Sequence, residues 1–270
     1  MTWPFTLSEP MIRLMLFVGI FGAMALWELR DSWRHLEQGR KGRWPGNLGI
    51  FALDIAVVRL VFPAAAVGFA VYAQTNNLGL LPQLGLPLWL AGILGFLLLD
   101  LAIYLQHRVF HHVPWLWRLH RMHHADTELD VTSGFRFHPL EIVLSMLIKA
   151  AAIIALGISP LTVLVFETVL NGSSLFNHAN IRLNPRLERV LRWIIVTPDM
   201  HRVHHSVERA ETDSNFGFNL PWWDRLFGTY VPKPAAGFDQ MTIGLHAFRD
   251  PVEQRLDRLV TQPFRHASKD

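Results

Sequence analysis

Three long apolar runs dominate the first part of the chain: residues 11–29, residues 48–74 interrupted by Asp54 and Arg59, and residues 86–106 with Asp100 near the end. A hydrocarbon core of ~30 Å takes ~20 helical residues to cross, so each run is long enough to span a bilayer. Composition points the same way. Of the 270 residues 51% are hydrophobic and 17% charged, where a soluble domain carries about a quarter charged residues. A further apolar region differs in form: residues 140–156 and 161–176 flank the breaker Gly157-Ile158-Ser159-Pro160. That pattern predicts a helical hairpin, whose arms either cross fully or dip in and return. The expected fold class is therefore all-α, with about four or five membrane-embedded helices. The N-terminus lacks the positive n-region and small-residue cleavage site of a secretory signal.

Loop charges set an orientation. Residues 30–43 carry Arg30, Arg34, Arg40, Lys41 and Arg43 against Asp31 and Glu37, whereas residues 75–87 carry no charge. The positive-inside rule makes the first loop cytosolic and the second external. The third run then ends in the cytosol, and the hairpin returns the chain to the same side near His178. Residues 107–139 are rich in aromatics and arginines, among them Phe110, Trp115, Trp117, Arg118, Arg121, Phe135 and Arg136, and read as short helices at the interface. Residues 232–270 read as a peripheral cytosolic tail in which residues 251–261 form an amphipathic helix.

The chain has no cysteine and 14 histidines. Disulfides, thiolate metal sites and cysteine-ligated iron–sulfur clusters are thereby excluded for this sequence. The net charge of +3 comes with no basic stripe, so no nucleic-acid partner is expected. Most histidines fall in three clusters: His107-Arg108-Val109-Phe110-His111, His120-Arg121-Met122-His123-His124 and His201-Arg202-Val203-His204-His205, with His178 standing alone. A spacing of four puts two imidazoles on one helix face, and successive residues lie ~100° apart. In each HxxHH cluster two histidines therefore share a face while one points aside, so one helix offers nitrogen to two metals. Imidazole suits iron, copper, zinc and nickel, and a single zinc takes three or four ligands. Nine histidines (His107, His111, His120, His123, His124, His178, His201, His204 and His205) are too many for one metal and suit two.

The order HxxxH, HxxHH, HxxHH resembles the fatty acid hydroxylase/sterol desaturase superfamily of membrane di-iron oxygenases. Flanking residues fit as well: Leu116-Trp117-Arg118-Leu119-His120, Phe137-His138-Pro139-Leu140-Glu141, Asn215-Phe216-Gly217 and the stretch Trp223-Asp224-Arg225-Leu226-Phe227-Gly228-Thr229. The resemblance covers residues 100–231, the histidine-box core of a membrane domain at 11–231. It implies two iron ions held by the nine histidines, O₂ as co-substrate, and hydroxylation, desaturation or ether-bond oxidation of a lipid. It also implies a separate electron donor (cytochrome b5, ferredoxin or a reductase), since the chain shows neither a haem motif nor a GxGxxG fingerprint. The expected location is a bacterial inner membrane with the histidine-bearing helical cap on its cytosolic face.

Other polar residues invite roles around such a site. Asp100 either accepts a proton from a ligand histidine or pairs with Arg59. His138 is either a ligand or a hydrogen-bond donor behind one. Glu141 is a candidate to support the ligands, Glu167 either to line the pocket or to support the ligands, and Asp199 to cap the third histidine helix. His112 faces away from His107 and His111, and His35, His246 and His266 read as surface residues. Two other functions use the same residue types: a zinc-dependent lipid hydrolase, and a non-catalytic metal transporter or sensor.

Overall fold

The computed structural model describes residues 9–267, which form helices α1 (Glu9–Arg30), α2 (Gly39–Val61), α3 (Ala65–Thr75), α4 (Leu80–Gln83), α5 (Leu88–His112), α6 (Pro114–His124), α7 (Pro139–Leu156), α8 (Pro160–His178), α9 (Pro185–Leu191), α10 (Pro198–His204), α11 (Arg209–Thr212), α12 (Trp222–Leu226) and α13 (Leu256–Thr261). Among the described residues there is no strand, only two isolated bridges, Ser32 with Ile181 and Ser206 with Ile243. Four segments are long and apolar enough to cross a membrane: Met11–Arg30, Gly39–Gln83, Leu88–His112 and Pro139–Leu156. The chain is a mostly helical membrane protein.

The long helices pack through a core that joins α3, α5, α7 and α8, with Ala66, Leu99, Ile153, Val163 and Phe166 fully buried. Small residues let these helices approach closely, as membrane packing requires. A Cβ on Gly95 of α5 would lie only 3.2 Å from Ile158 Cγ2 and 3.4 Å from Thr162 Cγ2. The hairpin forms where its breaker predicts. Gly157 ends α7 in the left-handed region (φ 68°), and Ser159 caps α8 by accepting from the Thr162 amide. α7 is one of the four candidate spans, whereas α8 is not.

Two of the apolar runs behave differently from a single helix each. Residues 48–74 divide into α2 and α3 at Pro63, because proline supplies no amide hydrogen and excludes helical geometry from the residue before it. Phe62 accordingly adopts φ −127°, ψ 68°. α5 runs past the apolar stretch to His112, which carries the first histidine cluster on the end of a membrane helix.

The residues expected at the interface lie mostly inside. Phe110, Trp117, Arg121, Phe135 and Arg136 are buried, and Trp115 remains exposed. Arg43, one of the charges in the basic loop, is also fully buried on the first turns of α2. Its guanidinium grips Asp126 (2.8 and 2.7 Å) and Asp130 (2.6 Å), and the Ser133 hydroxyl lies 2.9 Å away. This clamp ties α2 to the segment that follows α6. Burial alone would raise the Asp126 carboxyl, but Arg43 and Arg136 outweigh that effect and hold it at about 2.

The tail from Pro251 is built into the protein. Leu259 packs with Ile50 and Met122, and the Gln254 side chain accepts from Arg136. The backbone approach is close: a Cβ on Gly46 would lie 1.9 Å from the Gln254 carbonyl oxygen, so only glycine fits there.

Candidate metal centre

The ends of α5 and α8 meet the short helices α6 and α10, and this junction gathers the nine histidines. Prolines start both short helices: Pro114 follows the extended Val113, and Pro198 follows Thr197. Thr197 caps α10 through its hydroxyl, which accepts from the Met200 amide. Asp199 is not that cap; it pairs with Arg202 at 2.5 Å.

The donor atoms fall into two groups. His107, His111, His120, His124 and His204 bring one ring nitrogen each within 4.8 Å of one another, as do His123, His178, His201 and His205. Each HxxHH cluster is divided as helical rotation requires. α6 gives His120 and His124 to the first group and His123 to the second. The third cluster gives His204 to the first and His201 with His205 to the second. The groups share a wall, where the rings of His124 and His205 stack at 4.6 Å.

The hydrogen bonds behind these rings fix what they present. The Nδ1–H groups of His107, His204 and His178 donate to the carbonyl oxygens of Phe216 (2.8 Å), Ser214 (2.7 Å) and Ser174 (2.7 Å). His120 Nδ1 lies 2.7 Å from Glu141 Oε1, and His111 Nδ1 lies 3.1 Å from Asp213 Oδ1. A carbonyl only accepts, so the proton sits on Nδ1 and leaves a lone pair on Nε2. Yet His107 Nε2 faces His204 Nε2 at 3.1 Å and His120 Nε2 at 3.0 Å, and His178 Nε2 faces His201 Nε2 at 2.9 Å. The lone pairs of His107 and His204 repel at 3.1 Å unless a cation lies between them, so the first group fits a metal, and the second brings four imidazole nitrogens together in the same way. Burial drives His120 to about 3. Burial, followed by the neighbouring imidazoles, holds His123, His124, His201, His204 and His205 well below the ordinary histidine value. They are neutral at pH 7, the form that ligates.

Of the other candidates, Glu141 alone touches one of the nine histidines. Asp100 accepts from Asn219 Nδ2 (2.9 Å) and Trp223 Nε1 (2.8 Å), so it holds the loop that carries the Phe216 carbonyl and pairs with neither a histidine nor Arg59. His138 caps α7, accepting from the Leu140 amide (3.2 Å) through Nδ1 and donating from Nε2 to the Val260 carbonyl (3.1 Å). It belongs to neither donor group. Glu167 bridges Lys149 (2.7 Å) and Arg13 (2.8 Å) between α7, α8 and α1. His112 is exposed, as its spacing predicts.

Sequence reasoning assigns no role to two carboxylates that the structure places behind the histidines. Asp213 backs His111. Asp224 accepts from the amides of Phe216 (2.8 Å) and Gly217 (2.9 Å) and from the Thr229 hydroxyl (2.7 Å), and so fixes the carbonyl that orients His107. Burial raises Asp224 to about 6 against those hydrogen bonds. Both flanking motifs, Asn215-Phe216-Gly217 and Trp223–Thr229, are visible in the sequence, but nothing in their spacing shows that one supports the other.

Glu141→Ala removes the acceptor that orients His120. We expect metal affinity to fall ~10–100-fold, the usual cost of losing such a partner, with Glu141→Gln losing less. Titration with a competing chelator measures it, and unchanged affinity in the alanine variant would refute the role.

A bundle of apolar helices that ends in two convergent sets of imidazole nitrogens defines a membrane metalloprotein. The fatty acid hydroxylase family model matches residues 92–229, half of the chain, and the chain belongs to that family. It is 32% identical over 155 residues to an ornithine lipid hydroxylase of Rhizobium tropici, covering 56% of this chain and 45% of the relative. It is 27% identical over 251 residues to the human (Homo sapiens) alkylglycerol monooxygenase, covering 88% of this chain and 52% of the relative. A very-long-chain aldehyde decarbonylase of Oryza sativa subsp. indica is 29% identical over 193 residues, 66% of this chain and 30% of the relative. The chain thus spans about half, or less, of the length of these curated relatives. No solved structure matches it.

Proposed function

We propose that this protein oxidises a membrane lipid with O₂ at a di-iron centre, one ion in each histidine group, and draws its electrons from a separate donor (a cytochrome b5, a ferredoxin or a reductase). The observation that carries this reading is the division of nine buried imidazoles into two adjoining groups of five and four. Bound there, a pair of iron ions supplies the redox chemistry that turns O₂ against an unactivated C–H bond. The relatives support a lipid as substrate, because two of the three named above are a lipid hydroxylase and an alkylglycerol monooxygenase. Hydroxylation and desaturation both begin with removal of one hydrogen from carbon, and the lipid's fit decides between them.

The chain's own residues have three tasks. The carbonyls of Phe216, Ser214 and Ser174, with Glu141 and Asp213, hold five imidazoles in the tautomer that presents Nε2. The buried Trp117 and the half-buried Phe137, packed against His111 and His123, help keep water from the ligands. The apolar helices below the centre place it beside the lipid phase from which the substrate would come. The loop charges support a cytosolic face for the centre.

A zinc hydrolase would need neither O₂ nor reductant, and five imidazoles exceed the three or four ligands of a zinc site. The full-length protein in nanodiscs, reconstituted with iron and a reductant, is expected to add one oxygen or remove two hydrogens from a lipid under air and to do neither under argon. Equal turnover under argon would overturn the oxygenase reading, and lipid mass spectrometry reads both outcomes.

A further inference from the structure

A second surface contributes no ligand to the metal centre. Val190 at the end of α9, Trp193 and Ile194 just beyond it, and Trp222, Leu226 and Phe227 on and after α12 present large apolar side chains outward. Trp193 is 59% exposed and Leu226 69%, so these are not the edges of a core. The two segments are locked together. Trp222 Nε1 donates to the Trp193 carbonyl (2.8 Å), and the Arg225 guanidinium lies 3.8 Å from the Trp193 ring centre and 4.0 Å from that of Tyr230. A rigid apolar patch of this size marks an interaction site.

Its depth identifies the partner. Trp223, next to Trp222, donates to Asp100 on α5, seven residues before His107. At 1.5 Å per residue that point lies ~10 Å down the helix from the metal centre, inside the candidate span Leu88–His112. Phe227 stacks on Tyr104 of the same span at 5.5 Å. On the same span α5 also exposes Leu105 and Val109. Cations border the patch: Arg182, just before α9, and Arg186 and Arg189, on α9 beside Val190, are exposed. The neighbouring acids Glu188 and Asp199 are already engaged by Arg192 and Arg202, and Asp239 is the exposed acid of the adjoining groove. Exposed tryptophan and aliphatic side chains bordered by arginine are the signature of a segment lying in one leaflet.

We propose that residues 185–194 and 222–227 form a platform seated in one leaflet of the bilayer, whose arginine rim selects anionic phospholipid headgroups. The platform stands on the fold alone and holds whether or not the centre oxidises lipid. α12 thus anchors in lipid the same loop whose Phe216 carbonyl orients His107.

The chain has no cysteine, so Leu226→Cys and Val190→Cys each give a single labelling position on an exposed side chain. Spin-labelled full-length protein in nanodiscs is expected to collide more often with O₂, which partitions into lipid, than with a water-soluble nickel chelate. The reverse ordering at both positions would mean that the patch faces water, as a docking face for a soluble protein would, and would overturn the proposal. In mixed phosphatidylglycerol and phosphatidylcholine discs, the preference of the boundary lipid for phosphatidylglycerol should fall about fivefold with each of Arg186→Glu and Arg189→Glu. An unchanged preference in both variants would overturn the headgroup selection.

Discussion

His204→Ala is expected to abolish lipid oxidation, with activity lowered at least ~10³-fold, and to reduce bound iron from both groups to about one ion per chain. His204 is fully buried, its Nδ1 proton is committed to the Ser214 carbonyl, and its Nε2 lies 3.1 Å from that of His107. Removing it leaves His107, His111, His120 and His124 around a cavity without their fifth partner, and the Ser214 carbonyl without its donor. The second group keeps all four of its members, so the loss should fall first on one metal. Elemental analysis beside lipid mass spectrometry tests this. A variant that kept both ions and full turnover would show that the first group is not the reacting centre.

Arg43→Met should be the most damaging substitution outside the histidines. It strips the counter-charge from Asp126 and Asp130, whose side chains are as fully buried as that of Arg43. Breaking a buried ion pair from one side costs about 3–5 kcal/mol, because the remaining charge has no solvent. Thermal unfolding in detergent should shift accordingly, and iron retention should drop because the clamp abuts the second histidine cluster. Arg43→Lys keeps the charge but cannot reproduce the two-pronged grip, and should fall between. The pH dependence has a definite sign. The folded Asp126 value of about 2 lies below the ordinary 3.8, so its contribution is present above about pH 4 and is lost as the pH falls towards 2. In Arg43→Met that acid-side loss should begin at higher pH. Identical unfolding curves for variant and parent would remove the clamp from the account.

The features legible in the sequence are those with short periods. Apolar runs and the Gly157–Pro160 breaker mark helices and their hairpin, and a rotation of ~100° per residue is enough to separate His123 from His120 and His124. Features set by distant partners are not legible in this way. Arg43 reads as one more charge in a basic loop, because the carboxylates it grips lie 83 and 87 positions away. Asp100 looks like a partner for a histidine one face along its own helix, but a tryptophan and an asparagine from a later loop reach it instead. His138 sits in a motif beside the centre, and its ring turns to the Val260 carbonyl of the tail. The break at Pro63 is written in the chain, but an apolar run hides it when only hydropathy is read.

The way each HxxHH cluster shares its histidines has a further consequence. Neither metal position belongs to a single stretch of sequence, and neither can be moved without the other. The interval between them is set by the step from one helical residue to the next on α6 and on α10, which backbone hydrogen bonds maintain. Side chains give the centre its chemistry, while two short helices serve as its ruler.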